Sequence, residues 1–354
     1  MAGSVIHLEE AADQPRTHAL VVGVGKYPHL AGGESPVADP DGMRQLSSPP
    51  LSARAFGLVD LLVVTHVDQD HILGVLALLE DSQRPVELGD VWFNGFDHLL
   101  DTEGFGAQDG ERLTSALLAQ KVPWNDAFGG RGVEVGRQLG WFDDGSTMEV
   151  LSPDRAQLEA LAPVWVKECA AHGLIPGRDP DEPPVVPGFE HFGGAVDVEA
   201  LAATPFKTDT SATNVTSIGL LFEFEDRRII LTGDGEAGRL VESIRPRAEA
   251  AGGRLHVDVL KVAHHGSAHN ISNELLGLLD CDRYLISTSG ARHDHPDEIA
   301  MSRILRNGGD RKEIVFNYRD RGALWDVTTL KDRFGYTVTK PEPGAPDGLV
   351  TFEL

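Results

Sequence analysis

Four side chains able to bind a metal ion fall within six positions in the segment Thr65-His66-Val67-Asp68-Gln69-Asp70-His71. Imidazole nitrogen and carboxylate oxygen together form a ligand set suited to zinc, manganese or iron, and a turn with this spacing can aim both kinds of donor into one volume. Three later segments also place polar residues at the end of an apolar run. They are Thr232-Gly233-Asp234, His264-His265-Gly266-Ser267, and Ser287-Thr288-Ser289-Gly290, the last followed by His293, Asp294, His295 and Pro296. A lone Gly-Asp is usually a turn and a histidine pair is often structural, so these segments count through their convergence.

Each segment needs an element to deliver it. Val59 to Thr65 predicts a buried strand ending directly on the first histidine cluster, where ligands of α/β folds gather. Ile72 to Glu80 then suits a helix and Val91 to Asn94 a strand, while Ala19 to Val24 predicts an earlier strand. Ile218 to Phe224 and Arg228 to Thr232 read as a hairpin turning at Glu225 to Arg227. Val257 to Ala263 and Tyr284 to Thr288 are further strands, with helices at 236–251, 272–279 and 297–307. Strand alternating with helix implies a layered α/β architecture. Residues 101–205 carry Gly- and Pro-rich segments around helices near 111–121 and 154–172, and read as an insertion, either a lid over the site or plain decoration.

The chain has 354 residues and a formal net charge of -24, which repels a nucleic-acid backbone at long range. A phosphate-ester or nucleotide substrate would therefore need a local attractor, which bound divalent ions supply. Arg303, Arg306, Arg311, Lys312, Arg319 and Arg321 are interrupted by Asp310, Glu313 and Asp320, and this mixture of signs predicts a solvated helix-and-turn surface, not a phosphate-binding strip. Cys169 and Cys281 lie far apart in unlike surroundings and read as free thiols of a reducing cytoplasm. No apolar run approaches the ~18 residues of a membrane span, so a cytoplasmic, non-membrane protein is expected.

In order along the chain, THVDQDH, LTGDGE and LKVAHHGS resemble the metallo-β-lactamase superfamily, specifically the branch similar to the hydrolase domain of ComEC-type DNA-uptake proteins, with HxDxDH in place of HxHxDH. ISTSG with His295-Pro296 resembles that branch's final motif, and the likeness covers roughly 58–354. It implies an α/β fold of the αββα sandwich type, with an incomplete or atypical N-terminal half, because the GD and (I/L)DGG turns that normally precede the first motif are missing. Residues 18–57 instead resemble the opening of a caspase-like peptidase, read as a fused remnant or a truncated juncture near Gly57, with no peptidase activity carried over.

The resemblance implies two divalent metal ions, zinc or manganese. His66 and Asp68 would serve the first, Asp70 and His71 the second, and Asp234 both. One of His264 and His265 would complete the second site, with His264 preferred and His265 behind it. Asn214 and Thr216 stand where most of the superfamily has a further histidine, leaving the first site poor in nitrogen and shifting preference towards harder ions such as manganese. Asp70, Asp234, His265 and His295 form the expected catalytic set, with His295 or the non-ligating member of the histidine pair as proton donor. Phosphodiester hydrolysis is the expected reaction. Hydrolysis of a lactone, lactam or thioester, or a degenerate module without turnover, are the alternatives.

Overall fold

The structure, a computed structural model, describes residues 5–8, 18–22, 58–80, 87–99, 108–136, 138–140, 145–171, 196–290, 294–309, 312–343 and 350. Most of the caspase-like stretch, His293, and the Pro-rich segment at 176–188 lie outside these. The chain divides into two compact units, one comprising Met1–Val133 with Arg155–Glu182 and the other Glu134–Asp154 with Pro183–Leu354. Both are α/β, and each has its own sheet.

The first unit holds β1 (Val5–Leu8), β2 (His18–Val22), β3 (Leu58–Val63) and β4 (Glu87–Trp92), in that spatial order. Strands β1 and β2 are antiparallel, whereas β2, β3 and β4 run parallel. Its helices are α1 (Gln69–Glu80), α2 (Gln108–Gln120) and α3 (Arg155–Ala171). Leu61, Leu62, Val63 and Val64 are buried, as are Ile72, Val75, Leu76 and Leu79 along one face of α1, the 3–4 spacing that packs a helix onto a sheet. Strand β4 ends before the expected Asn94 because the Asn125 side chain takes both backbone groups of Phe93. Its Oδ1 accepts from Phe93 N and its Nδ2 donates to Phe93 O, each at 3.0 Å.

The second unit is built on an eight-stranded mixed sheet. Its strands are β5 (Gln138–Gly140), β6 (Thr147–Ser152), β7 (Gly219–Phe224), β8 (Arg227–Leu231), β9 (Leu255–Lys261), β10 (Leu279–Ile286), β11 (Lys312–Phe316) and β12 (Tyr336–Thr339). The spatial order follows the chain from β5 to β12. Pairing is antiparallel from β5 to β8 and parallel from β8 to β12. The hairpin between β7 and β8 turns on Glu225 and Asp226 alone, with Glu225 at φ +51°.

Helices α4 (Val198–Ala202), α5 (Ala212–Val215), α6 (Ala237–Ala250), α7 (Asn273–Gly277), α8 (Glu298–Asn307), α9 (Arg319–Trp325) and α10 (Thr328–Phe334) complete the unit. Leu221, Ile230, Val257, Leu260, Tyr284 and Ile314 of the sheet pack in one core with Leu240, Ile244 and Ile304 of α6 and α8. The parallel half has a direct consequence for chemistry. It brings the carboxyl ends of β8, β9 and β10, and with them the Asp234, His264/His265 and Ser287 segments, to one edge.

The expected solvated surface is corrected at two of its cations, while Arg306 and Asp320 are exposed and Arg319 and Arg321 half-buried as a surface would be. Arg303 and Lys312 are 1% and 4% exposed, and β11 runs through the segment. Their terminal nitrogens donate internally to carbonyl oxygens. Lys312 Nζ donates to Gly309 O at 2.6 Å and Phe334 O at 2.9 Å, and Arg303 donates to three carbonyls described below. Cys281 is buried in β10, and burial pushes its thiol pKa up, so it is an inert structural thiol. Among the described residues no helix is long and apolar enough to cross a membrane.

Candidate metal centre

Each unit carries side chains of types that could hold a metal ion. In the first, Val64 N still donates to Trp92 O at 2.9 Å, extending the sheet one residue past β3 before the chain turns. Asp68 O then accepts from His71 N and Ile72 N at 2.8 and 3.2 Å, opening α1 three residues earlier than the apolar pattern suggests. Asp70 and His71 therefore sit on the first helical turn, where a carboxylate is favoured by the helix dipole.

Thr65 orients both histidines. Its Oγ1 lies 3.0 Å from His66 Nδ1 and 3.0 Å from His71 Nδ1. A hydroxyl has one proton to give, so at least one ring must donate its Nδ1–H to it and carry its lone pair on Nε2. His66 Nε2 lies 3.7 Å from Asp68 Oδ2 and His71 Nε2 lies 4.0 Å from Asp70 Oδ2. Ligand bonds of about 2.0–2.2 Å let atoms up to roughly 4.4 Å apart share one ion, so both pairs have a fitting span.

The second unit's set is more tightly built. Asp234 follows β8 across Gly233 at φ +52°, and its N–H donates to Ser217 Oγ at 3.1 Å. His264 and His265 follow β9 in left-handed backbone at φ +46° and +56°, and Gly266 continues at +90°. That conformation costs a non-glycine residue about 1–2 kcal/mol, so a run of it marks a segment fixed by its surroundings. One such tie is His264 N donating to Gly233 O at 3.1 Å. Gly266 has no room for a side chain, because a Cβ there would lie 2.5 Å from Pro296 Cβ.

This backbone turns both imidazoles onto one carboxylate. Asp234 Oδ2 lies 3.8 Å from His264 Nε2 and 3.9 Å from His265 Nε2. Their tautomers follow from what faces Nδ1. His265 Nδ1 is 2.6 Å from Ser287 O, a carbonyl that only accepts, so Nδ1 holds the proton. Asn270 Nδ2 donates to Asp234 O and Gly235 O at 2.9 and 3.2 Å, which turns its Oδ1 towards His264 Nδ1 at 2.9 Å. Asp209 Oδ2 lies 3.2 Å from the same nitrogen. In the neutral form of either ring the lone pair is therefore on Nε2, beside Asp234. Two imidazoles with backed Nδ1–H groups and one buried carboxylate make a donor set that fits a divalent transition ion. Both histidines are equally placed for it, so the preference for His264 has no geometric support over His265.

The charges are coupled. Burial would lower the His264 pKa, but the Asp209 hydrogen bond and the Asp234 charge outweigh it and raise it to about 9. Burial would likewise raise the Asp209 pKa, and hydrogen bonds from His264, Asn214 and Ser211 N overcome it and hold the carboxyl well below its usual range. Burial also pushes the Lys261 ammonium down to about 8, with the charge of Asp234 opposing.

A pH dependence follows for the metal-free protein. The His264 pKa is raised above its ordinary 6.5, so its pairing with Asp209 stabilises fully below about 6.5 and is lost as pH rises through about 9. The lowered Asp209 pKa keeps the pairing intact down to strongly acid pH. Asp209→Asn is expected to cost about 1–2 kcal/mol between pH 4 and 6.5, and progressively less towards pH 9. Thermal melts in chelator check this, and a penalty independent of pH would count against it.

His295 is held by a carboxylate that the sequence did not single out. Its Nδ1 lies 3.0 Å from Asp297 Oδ1, Asp297 Oδ2 accepts from Ala268 N at 2.7 Å, and the His295 ring centroid is 5.6 Å from that of His264. Thr65, Asp209, Asn270 and Asp297 were all missed as site residues. Thr65 opens the THVDQDH motif but offers no metal ligand of its own, the other three carry no motif, and each acts only through a partner that folding supplies.

No protein-family model and no curated protein matches the chain. Among solved structures, a mutant of the CmlA beta-hydroxylase aligns with 97% of this chain and 51% of its own, at 13% identity and a TM-score of 0.39. The chain thus spans about half the length of that neighbour. A likeness at that score fixes neither fold nor chemistry.

Proposed function

We propose that this protein is a metal-dependent hydrolase of the metallo-β-lactamase type, close to the ComEC-like branch, acting on a phosphodiester. The observation that carries the reading is the convergence of His264 and His265 Nε2 on Asp234 Oδ2, at 3.8 and 3.9 Å, with each Nδ1 proton engaged elsewhere. The proposed ligands are His66, Asp68, Asp70, His71, Asp234 and at least one of the His264/His265 pair, serving two ions of zinc or manganese. Bound there, such ions supply hydroxide at neutral pH and offset charge on the substrate oxygens.

The chain's own residues have separable tasks. Asp234 holds a fixed negative charge between two imidazoles, and Asp209 and Asn270 keep His264 from rotating away. His295, backed by Asp297, delivers a proton from Nε2 to the leaving oxygen. The net charge of -24 favours a small phosphodiester over a long duplex.

Elemental analysis of purified protein, followed by assay of a generic phosphodiester with added zinc or manganese, tests this. About two ions per chain and metal-dependent turnover are the expected result. Turnover confined to lactones or thioesters moves the substrate to the acyl class, and protein that binds no metal overturns the proposal.

A further inference from the structure

His295, the proposed proton donor, is fastened on both sides, and the two fastenings come from different parts of the fold. After it, the chain is pinned to the turn that carries His264 and His265. Asp297 N donates to Gly266 O at 2.9 Å, and the Asp297 carboxylate joins His295 Nδ1 to Ala268 N. Before it, Asp294 stands in left-handed backbone at φ +56°, with its N–H donating to Gly290 O at 2.9 Å, and Gly290 itself turns at φ +70°. Such backbone costs a non-glycine residue about 1–3 kcal/mol, so the surroundings must hold it in place.

Arg321 of α9 does the holding. Its Nε donates to Ser289 O at 3.0 Å, and its NH1 pairs with the carboxylate of Asp294. The guanidinium lies so close over Gly290 that a Cβ there would overlap it, which leaves glycine alone able to occupy the position. An isolated ion pair near the surface is worth little. Here it is one arm of a planar fork that fixes two points of the chain at once, which a lysine ammonium on a flexible stem does poorly.

We propose that Arg321 is a positioning residue for His295: by clamping Ser289 and Asp294 it sets the backbone from which the imidazole is aimed at the leaving oxygen. This rests on the phosphodiesterase reading above and goes beyond it by naming the group that aims the proton donor. Hydroxide forms the new phosphorus–oxygen bond. As the old one breaks, its electron pair stays on the leaving oxygen, which takes the Nε2 proton of His295, and the ring regains a proton from water.

Dependence on the leaving group tests this. Bis(p-nitrophenyl) phosphate releases a phenolate that departs without a proton, whereas a dinucleoside phosphate releases an alkoxide that needs one. With manganese added, Arg321→Met is expected to lower kcat/KM for the dinucleoside phosphate by about 10–100-fold, the scale of a displacement of about 1 Å, and by a clearly smaller factor for the nitrophenyl ester. Arg321→Lys keeps a charge beside Asp294 and is expected to recover part of the loss. Equal losses on both esters would mean that Arg321 only supports the fold, and no loss on either would mean that the clamp is idle; both overturn the proposal.

A double variant reads the route. In His295→Gln the proton donor is gone, so adding Arg321→Met is expected to cost nothing further on the dinucleoside phosphate. A second full loss would mean that Arg321 acts elsewhere and overturns the proposal. If circular dichroism shows that Arg321→Met does not fold, Arg321→Lys takes its place in both comparisons. Wild type that hydrolyses neither ester removes the phosphodiesterase reading itself, whereas wild type active on both, with losses that ignore the leaving group, removes this inference alone.

Discussion

Asp234→Asn is expected to lower divalent-metal affinity by more than 100-fold and to reduce turnover to background. The exchange keeps the shape of the side chain and the backbone bond to Ser217 Oγ, so the fold is retained. What it removes is a buried negative charge lying within 4 Å of two imidazole nitrogens. Loss of a residue that merely orients a ligand costs about 10–100-fold in affinity, so a carboxylate proposed as a direct ligand is expected to exceed that. Calorimetry with Mn²⁺ and Zn²⁺, circular dichroism and a phosphodiester assay on one preparation check the three parts together. Metal affinity and turnover within tenfold of wild type would remove Asp234 from the centre.

The second large effect is on stability. Arg303 NH1 donates to Ala268 O and Ile271 O at 2.7 Å each, and NH2 donates to Thr204 O at 3.0 Å. Arg303→Met fills similar volume but donates nothing, leaving three carbonyls short of a charged donor. At about 1–3 kcal/mol for each orphaned buried group, and allowing for incomplete additivity, the expected loss is roughly 3–5 kcal/mol. That is a fall in melting temperature on the order of 10 °C. Ala268 to Ile271 also contains Asn270, which faces His264, so metal affinity is expected to fall with it. A melting temperature within 2 °C of wild type would show that the loop needs no such clamp.

The legible and illegible parts of this protein differ by a physical rule. Strands β3, β7, β8, β9 and β10 announce themselves through continuous apolar runs, and their polar ends stand out against them. The three segments His66–His71, Asp234 and His264–His265 could therefore be picked out as strand-end chemistry. Strands β11 and β12 could not, because Lys312 opens β11 with a charge whose satisfaction by two backbone carbonyls depends on the fold.

The supporting residues are hidden for the same reason. Asp209 and His264 are 55 positions apart, Thr65 is an ordinary hydroxyl, and Arg303 reads as one more surface cation. Ligands are recognised by type and position at a strand end. The groups that aim them are recognised only by what they touch.

The order in which the two units use the chain sets how it can be taken apart. Glu134–Asp154 supplies β5 and β6 to the second sheet, yet Arg155–Glu182 returns to the first unit before Pro183 resumes the second. A C-terminal fragment starting near 183 would therefore strip the hairpin that pairs with β7 and expose an open row of amides and carbonyls along a strand whose Gly219–Phe222 stretch is buried. Such an unprotected edge invites other chains to add on, so simple truncation would yield a sticky fragment. The natural excision unit for the second sheet is a stitched chain, with residues 134–154 joined by a short flexible linker ahead of 196.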